Sequence, residues 1–204
     1  HRLEGIKWDV ELSVLLDGKR TCRAEGEILF TRYGISGPVS LEISRAVNEP
    51  LLRGESPVIE INLFPGKKES EVEELFVSLF SDPQKGTAFA LEGVLKKRIP
   101  DIFIFIAGGD PQKKCGDLSR KDILSIIRSC TRQRLEPGEM RPFSEAVTSA
   151  GGVPVSEVVP STMESKKTKG VYLCGEVLDV DGDSGGFNLQ FAWSSGALAG
   201  MSQG

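Results

Sequence analysis

The chain has 204 residues, 39% hydrophobic and 26% charged, which suits one large globular domain or two small ones with a real core. Its net charge of −4 leaves no electrostatic footprint for nucleic acid, and its longest apolar run, 102–107, is far too short to span a bilayer, so neither is an expected partner. A lone histidine, His1, and four cysteines (Cys22, Cys115, Cys130 and Cys174) with no C-x-x-C spacing argue against a zinc site and a disulfide framework. Reduced thiols in the cytoplasm or an organelle stroma are the simpler expectation. The first residue is not Met, so a fragment or a processed chain is expected.

The N-terminal stretch reads as β structure. Val10, Leu12, Val14 and Leu16 alternate with Glu11, Ser13 and Leu15, which puts the first set on one face. Asp17-Gly18 predicts a hairpin turn, and Cys22, Ala24, Gly26, Ile28 and Phe30 line one side of the return strand. In the segment Phe30-Thr-Arg-Tyr-Gly-Ile-Ser-Gly-Pro38, Ser36 is positioned to cap a helix with Pro38 in its first turn and Leu41, Ile43 and Val47 as its buried stripe. Ile59, Ile61 and Leu63 predict a third strand.

The middle of the chain reads as helical. Ser70 and Glu73 match a capping box, followed by Val72, Leu75, Phe76, Leu79 and Phe80 at helical spacing. Further helices are expected over 89–98, over 101–107 before Gly108-Gly109, and after Ser119 and Asp122 with Ile123, Ile126, Ile127 and Cys130 as the inner face. Every one of these stripes is read as core packing. Residues 140–147 are expected to return to strand. The unbroken apolar run over 171–174 predicts a strand covered on both faces, as in a parallel sheet, with Cys174 buried and not redox-active. A helix rich in small residues is expected over 188–201.

One segment carries a chemical signal: Gly170-Val-Tyr-Leu-Cys-Gly-Glu-Val-Leu-Asp-Val-Asp-Gly-Asp-Ser-Gly-Gly-Phe-Asn-Leu-Gln190. It reads as strand, acidic glycine-rich loop and helix start. A helix N-terminus offers unpaired N–H groups and positive partial charge, which suit an electron-rich group. Gly185-Gly186 lets a flat ligand approach the backbone, and Glu176 could accept hydroxyl hydrogen bonds. Two other readings stand beside this one. A plain strand–loop–helix connection needs no ligand. Calcium at Asp179, Asp181 and Asp183 is disfavoured, because the twelfth position from Asp179 is Gln190 and not Glu.

The segment resembles the C-terminal motif of the BaiN/YhiN-like family of FAD-dependent oxidoreductases, which reads roughly G-L-Y-F-A-G-E-V-L-D-V-D-G-x-x-G-G-Y-N-L-Q, with Phe187 here in place of Tyr. The segment over 30–38 is similar to the family's F-T-H-Y-G-L-S-G-P, 146–153 to its A-E-V-T-A-G-G-V and 162–166 to its T-M-E-S-K, all in the same order. Members of that family go by names such as aminoacetone oxidase and bile-acid-type reductase.

The resemblance implies an α+β chain. Residues 1–65 and 138–160 would form an inserted, barrel-like β domain, 66–137 a small helical insert, and 161–204 the returning strand–helix of a Rossmann-type FAD domain. It implies FAD as cofactor, a small organic substrate and NAD(P)H as a candidate partner. It places Gly175, Glu176, Asp179, Gly185, Gly186, Phe187, Asn188 and Leu189 at the cofactor, with Thr148, Gly151 and Gly152 lining the flavin cavity.

The family's G-x-G-x-x-G has no counterpart here, so the ADP half of the cofactor would be held by an N-terminal half that precedes this sequence. The chain alone is then expected to bind FAD weakly or not at all. No catalytic residue is assigned. Tyr33, Glu164 and Thr148 are the polar candidates near substrate, although residues of these types in such places are more often structural. The absence of an internal histidine rules out Ser-His-Asp and Cys-His arrangements, and a flavin–disulfide mechanism lacks its C-x-x-x-x-C. The competing reading is a non-catalytic binding module that keeps the fold without the dinucleotide half.

Overall fold

A computed structural model describes residues 2–138 and 142–203. The chain is α+β and divides into two compact units, residues 1–138 and 139–204.

The first unit is built on an antiparallel sheet of five strands: β1 (Lys7–Leu16), β2 (Lys19–Thr31), β3 (Gly34–Ser36), β4 (Val58–Asn62) and β5 (Gln133–Leu135), in the order β3-β2-β1-β4-β5. Asp17 and Gly18 both take positive φ, 50° and 75°, as a two-residue hairpin turn between twisted strands requires. The register sets Val14 opposite Cys22, Leu12 opposite Ala24 and Val10 opposite Gly26, so the expected faces are formed.

Helix α1 (Pro38–Leu52) crosses β2 at Gly26, where an added Cβ would sit 3.4 Å from that of Val39. Its buried stripe is Val39, Ile43, Val47 and Pro50, and the expected Leu41 is exposed. Steps of four and three from Val39 stay on one face, whereas Leu41 lies two residues from both Val39 and Ile43. Ser36 does not cap the helix; it belongs to β3. The cap position is Gly37 (φ 103°), where a Cβ would meet the Glu27 carbonyl at 2.7 Å.

Four helices complete this unit: α2 (Glu69–Leu79), α3 (Thr87–Leu91), α4 (Ile99–Ile106) and α5 (Arg120–Thr131). Val72, Phe76 and Phe80 are buried as expected, and the rings of Phe64, Phe76 and Phe80 meet edge to face at 5.7 and 5.8 Å. The cap falls two residues before Ser70 and runs one way: Glu71 Oε2 accepts the Lys68 N–H at 2.7 Å, and the Lys68 side chain accepts nothing in return. The helix expected over 89–98 is only the short α3. Arg98 turns to φ 77° before α4, and Pro100 sits in the first turn of α4, where its missing N–H costs nothing. Helix α5 starts as read from the sequence. Ser119 Oγ accepts the Asp122 N–H at 3.2 Å, and Asp122 Oδ2 accepts the Ser119 N–H at 2.9 Å. Burial of Cys130 among Ile126, Ile127 and their neighbours pushes its thiol pKa up to about 12.

The second unit holds α6 (Phe187–Met201), short 3-10 turns at Phe143–Glu145, Val155–Glu157 and Gly175–Val177, and a small core of Val158, Met163, Leu178 and Ala199. Two expected strands do not form here. Residues 140 and 141 lie outside the described residues, and Phe143–Glu145 is a 3-10 turn with Phe143 and Val147 exposed. The run over 171–174 makes one antiparallel bridge, Glu164 with Tyr172. Apolar content alone does not make a strand; a ladder needs partners along its length.

Candidate functional site

The residues singled out near the C-terminus meet in the second unit. Val153 N–H donates to the Val177 carbonyl, and Asp179 N–H to the Val153 carbonyl, each at 2.9 Å, joining the 148–153 loop to the 175–179 turn through a parallel bridge. Gly152 sits against that turn with φ 143°, and a Cβ there would lie 2.6 Å from the Val177 carbonyl oxygen. Only glycine fits this approach. Ser149 closes the junction from its other end: its N–H and its hydroxyl both donate to Glu176 Oε1, at 2.7 and 2.9 Å. These two hydrogen bonds hold the Glu176 carboxyl below its ordinary pKa. Among the described residues nothing donates to Glu176 Oε2.

The turn is docked on α6. Gly175, at φ 69°, donates its N–H to Ser195 Oγ at 3.0 Å, while the buried Ser195 hydroxyl donates to the Phe191 carbonyl at 2.6 Å. The acidic loop that follows is fixed to the start of the same helix. Asn188 Oδ1 accepts the Gly182 N–H at 2.7 Å, and Asn188 Nδ2 donates to the Gly182 carbonyl at 3.1 Å.

Gly185 and Gly186 then lead into α6 with φ 119° and 97°. The first intrahelical bond runs from Gln190 N–H to the Gly186 carbonyl, so the amides of Phe187, Asn188 and Leu189 precede it. The first turn of α6 carries no acidic side chain to offset its positive end. Phe187 and Leu189 are exposed, and added Cβ atoms at Gly151 and Gly186 would meet nothing within 4 Å. An open front, unpaired amides and a free carboxylate oxygen suit a flat, electron-rich heterocycle that carries hydroxyl groups. The residues therefore fit a flavin.

The other candidates have different surroundings. Thr148 and Asp179 are exposed. Glu164 Oε1 accepts the Gly170 N–H at 2.8 Å, which closes the turn that precedes the motif. Tyr33 lies in the first unit, exposed in the turn between β2 and β3. Cys174 is exposed and not buried, because the segment around it has a single bridge in place of two flanking strands. Two residues escaped the sequence reading, Ser149 and Ser195. Neither left a local signal, since each bonds a residue 27 or 20 positions away. Buried Met163, in the 162–166 motif, takes φ 62°, an uncommon conformation for a side chain of its size. Among the described residues no group of three or more His, Cys, Asp or Glu could hold a metal ion, and no helix is long and apolar enough to cross a membrane.

A family model described as HI0933-like protein Rossmann domain matches residues 20–202. A 3-dehydro-bile acid delta(4,6)-reductase from Clostridium scindens is 32% identical over 197 residues, covering 96% of this chain and 48% of that protein. A ribosomal RNA dihydrouridine synthase from Haemophilus influenzae is 30% identical, covering 98% of this chain and 47% of its own, and one from Escherichia coli is 34% identical, covering 82% and 40%. The chain spans about half the length of the curated relatives it matches.

Proposed function

The chain belongs to the HI0933-like Rossmann-domain family, and on that premise we propose that it is the C-terminal part of an FAD-dependent oxidoreductase that moves a hydride between FAD and a small organic substrate. One observation carries the reading: the 148–152 loop, the 175–179 turn and the uncompensated start of α6 are tied together around an open, glycine-lined front. Bound FAD would supply the hydride chemistry at its ring. The amides of Phe187 to Leu189 would favour negative charge on the ring's pyrimidine edge. Glu176 Oε2 would accept a ribityl hydroxyl, while Oε1 keeps the Ser149 loop in place. Gly151 and Gly186, with open space where a side chain would stand, would admit the flat ring close to the backbone, while Gly152 holds the 148–153 loop against the 175–179 turn.

In this reading the strands and helices of the first unit are the inserted domains, and residues 161–204 return to the FAD domain. An N-terminal half carrying G-x-G-x-x-G would hold the ADP portion and cover exposed apolar residues such as Phe187, Leu189 and Trp193. One relative is named a reductase of a 3-dehydro-bile acid and two are named ribosomal RNA dihydrouridine synthases, so the relatives differ in substrate and share a reduction. Both products arise by adding hydrogen across a carbon–carbon double bond conjugated to a carbonyl, and we assign that substrate class here, with NAD(P)H as the electron donor. The non-catalytic module is not favoured beside relatives that are enzymes.

The full-length protein tests the proposal. It should purify yellow, or take up FAD with flavin absorbance, and bleach anaerobically with NADH or NADPH. A colourless protein indifferent to FAD would end this reading.

A further inference from the structure

The first unit carries a polar cleft of about 240 Å³ lined by strand residues and by the segments beside α2 and α5. Its floor holds two carboxylates with side chains only 13% and 16% exposed, Glu11 and Glu60. Every acid around the cleft is paired with a guanidinium: Arg23 bridges Glu11 at 2.8 Å and Glu25, outside the cleft, at 2.6 Å, Arg134 binds Glu60 at 3.2 Å, and Arg132 binds Glu69. The lining carries four cations, Arg20, Arg23, Lys67 and Arg132, against three carboxylates, Glu11, Glu60 and Glu69.

Two lining cations have no ion-pair partner among the described residues: Arg20, at the start of β2, and Lys67, just before α2. Asn62 adds a neutral donor. Its Oδ1 accepts the Phe64 N–H at 2.9 Å, which leaves its NH₂ group without an acceptor among the described residues. Donors therefore enter the cleft from β2, from the end of β4 and from the segment before α2, and the surplus charge is positive. Donors from three elements lining one cleft suit a tetrahedral anion with several acceptor oxygens better than a planar carboxylate.

We infer that this cleft binds a phosphate group, at a site separate from the flavin-side residues and independent of the flavin reading. Free phosphate and a phosphate ester offer the same chemistry, so the test uses both.

Calorimetric titration of the chain with inorganic phosphate should give saturable binding at one site. Arg20→Gln combined with Lys67→Gln, at two exposed positions, should leave the circular dichroism spectrum unchanged and weaken binding about tenfold or more, equivalent to about 1.4 kcal/mol. Ribose 5-phosphate is the ester arm. Tighter binding than inorganic phosphate identifies an ester as the ligand, and weaker or equal binding identifies the free ion; both support the site. Three results overturn it: no saturable phosphate binding, binding undiminished in the double variant, or acetate binding as well as phosphate does.

Discussion

Gly152 shows how one residue without a side chain decides the local architecture. Its backbone passes so close to the Val177 carbonyl that a methyl group must displace the 175–179 turn, and its φ of 143° disfavours any L side chain. Gly152→Ala should cost about 1–3 kcal/mol in denaturant unfolding. Gly151→Ala removes no such contact; it has open space around its Cβ and only the strain of φ 96°. Glu176 makes the neighbouring junction pH-dependent. Its folded carboxyl titrates below the ordinary value of about 4.3 because Ser149 donates to the ionised form. The Ser149 tie is therefore intact above that ordinary value and is lost as pH falls through the lower folded value. The Ser149 amide shift, followed by NMR, should titrate with a midpoint below about 4.3, and Glu176→Gln should flatten the curve.

At the scale of elements, caps and turns with a local cause were legible. Asp17-Gly18 and Ser119-x-x-Asp122 each bring their own partners within a few residues, and both appear as read. Ser119→Ala should destabilise the chain by about 1 kcal/mol in denaturant unfolding. Asp122 is held at a pKa of about 2, chiefly by the Ser119 N–H and then by Lys113 Nζ at 3.0 Å. This support is complete above the ordinary aspartate value of about 3.9 and disappears as pH falls through about 2. Elements whose cause is distant were misread. The neighbour of α1 is Gly26, so Val39 and not Leu41 faces inward. The run over 171–174 is apolar enough for a central strand, yet in the described residues it finds only Glu164 as a bridge partner.

At the scale of the molecule, each unit has its own core, from Ile6 to Cys130 in one and from Val158 to Ala199 in the other. The glycine-rich motifs fold next to one another in the second unit, and the glycine needed for close approach, Gly152, is visible in sequence. The ties that assemble it were not visible. Ser149 to Glu176 and Ser195 to Gly175 span 27 and 20 residues, and serine is too common to mark either one. The double grip of Asn188 on Gly182 also makes the loop depend on a single side-chain amide. Hydrolysis of that side-chain amide, a familiar event in aged protein samples, would leave an acceptor for the Gly182 N–H but set a second oxygen against the Gly182 carbonyl. The acidic loop would then come loose from the helix it is anchored to, so a change at one side chain would undo the tie between the 179–183 loop and the start of α6.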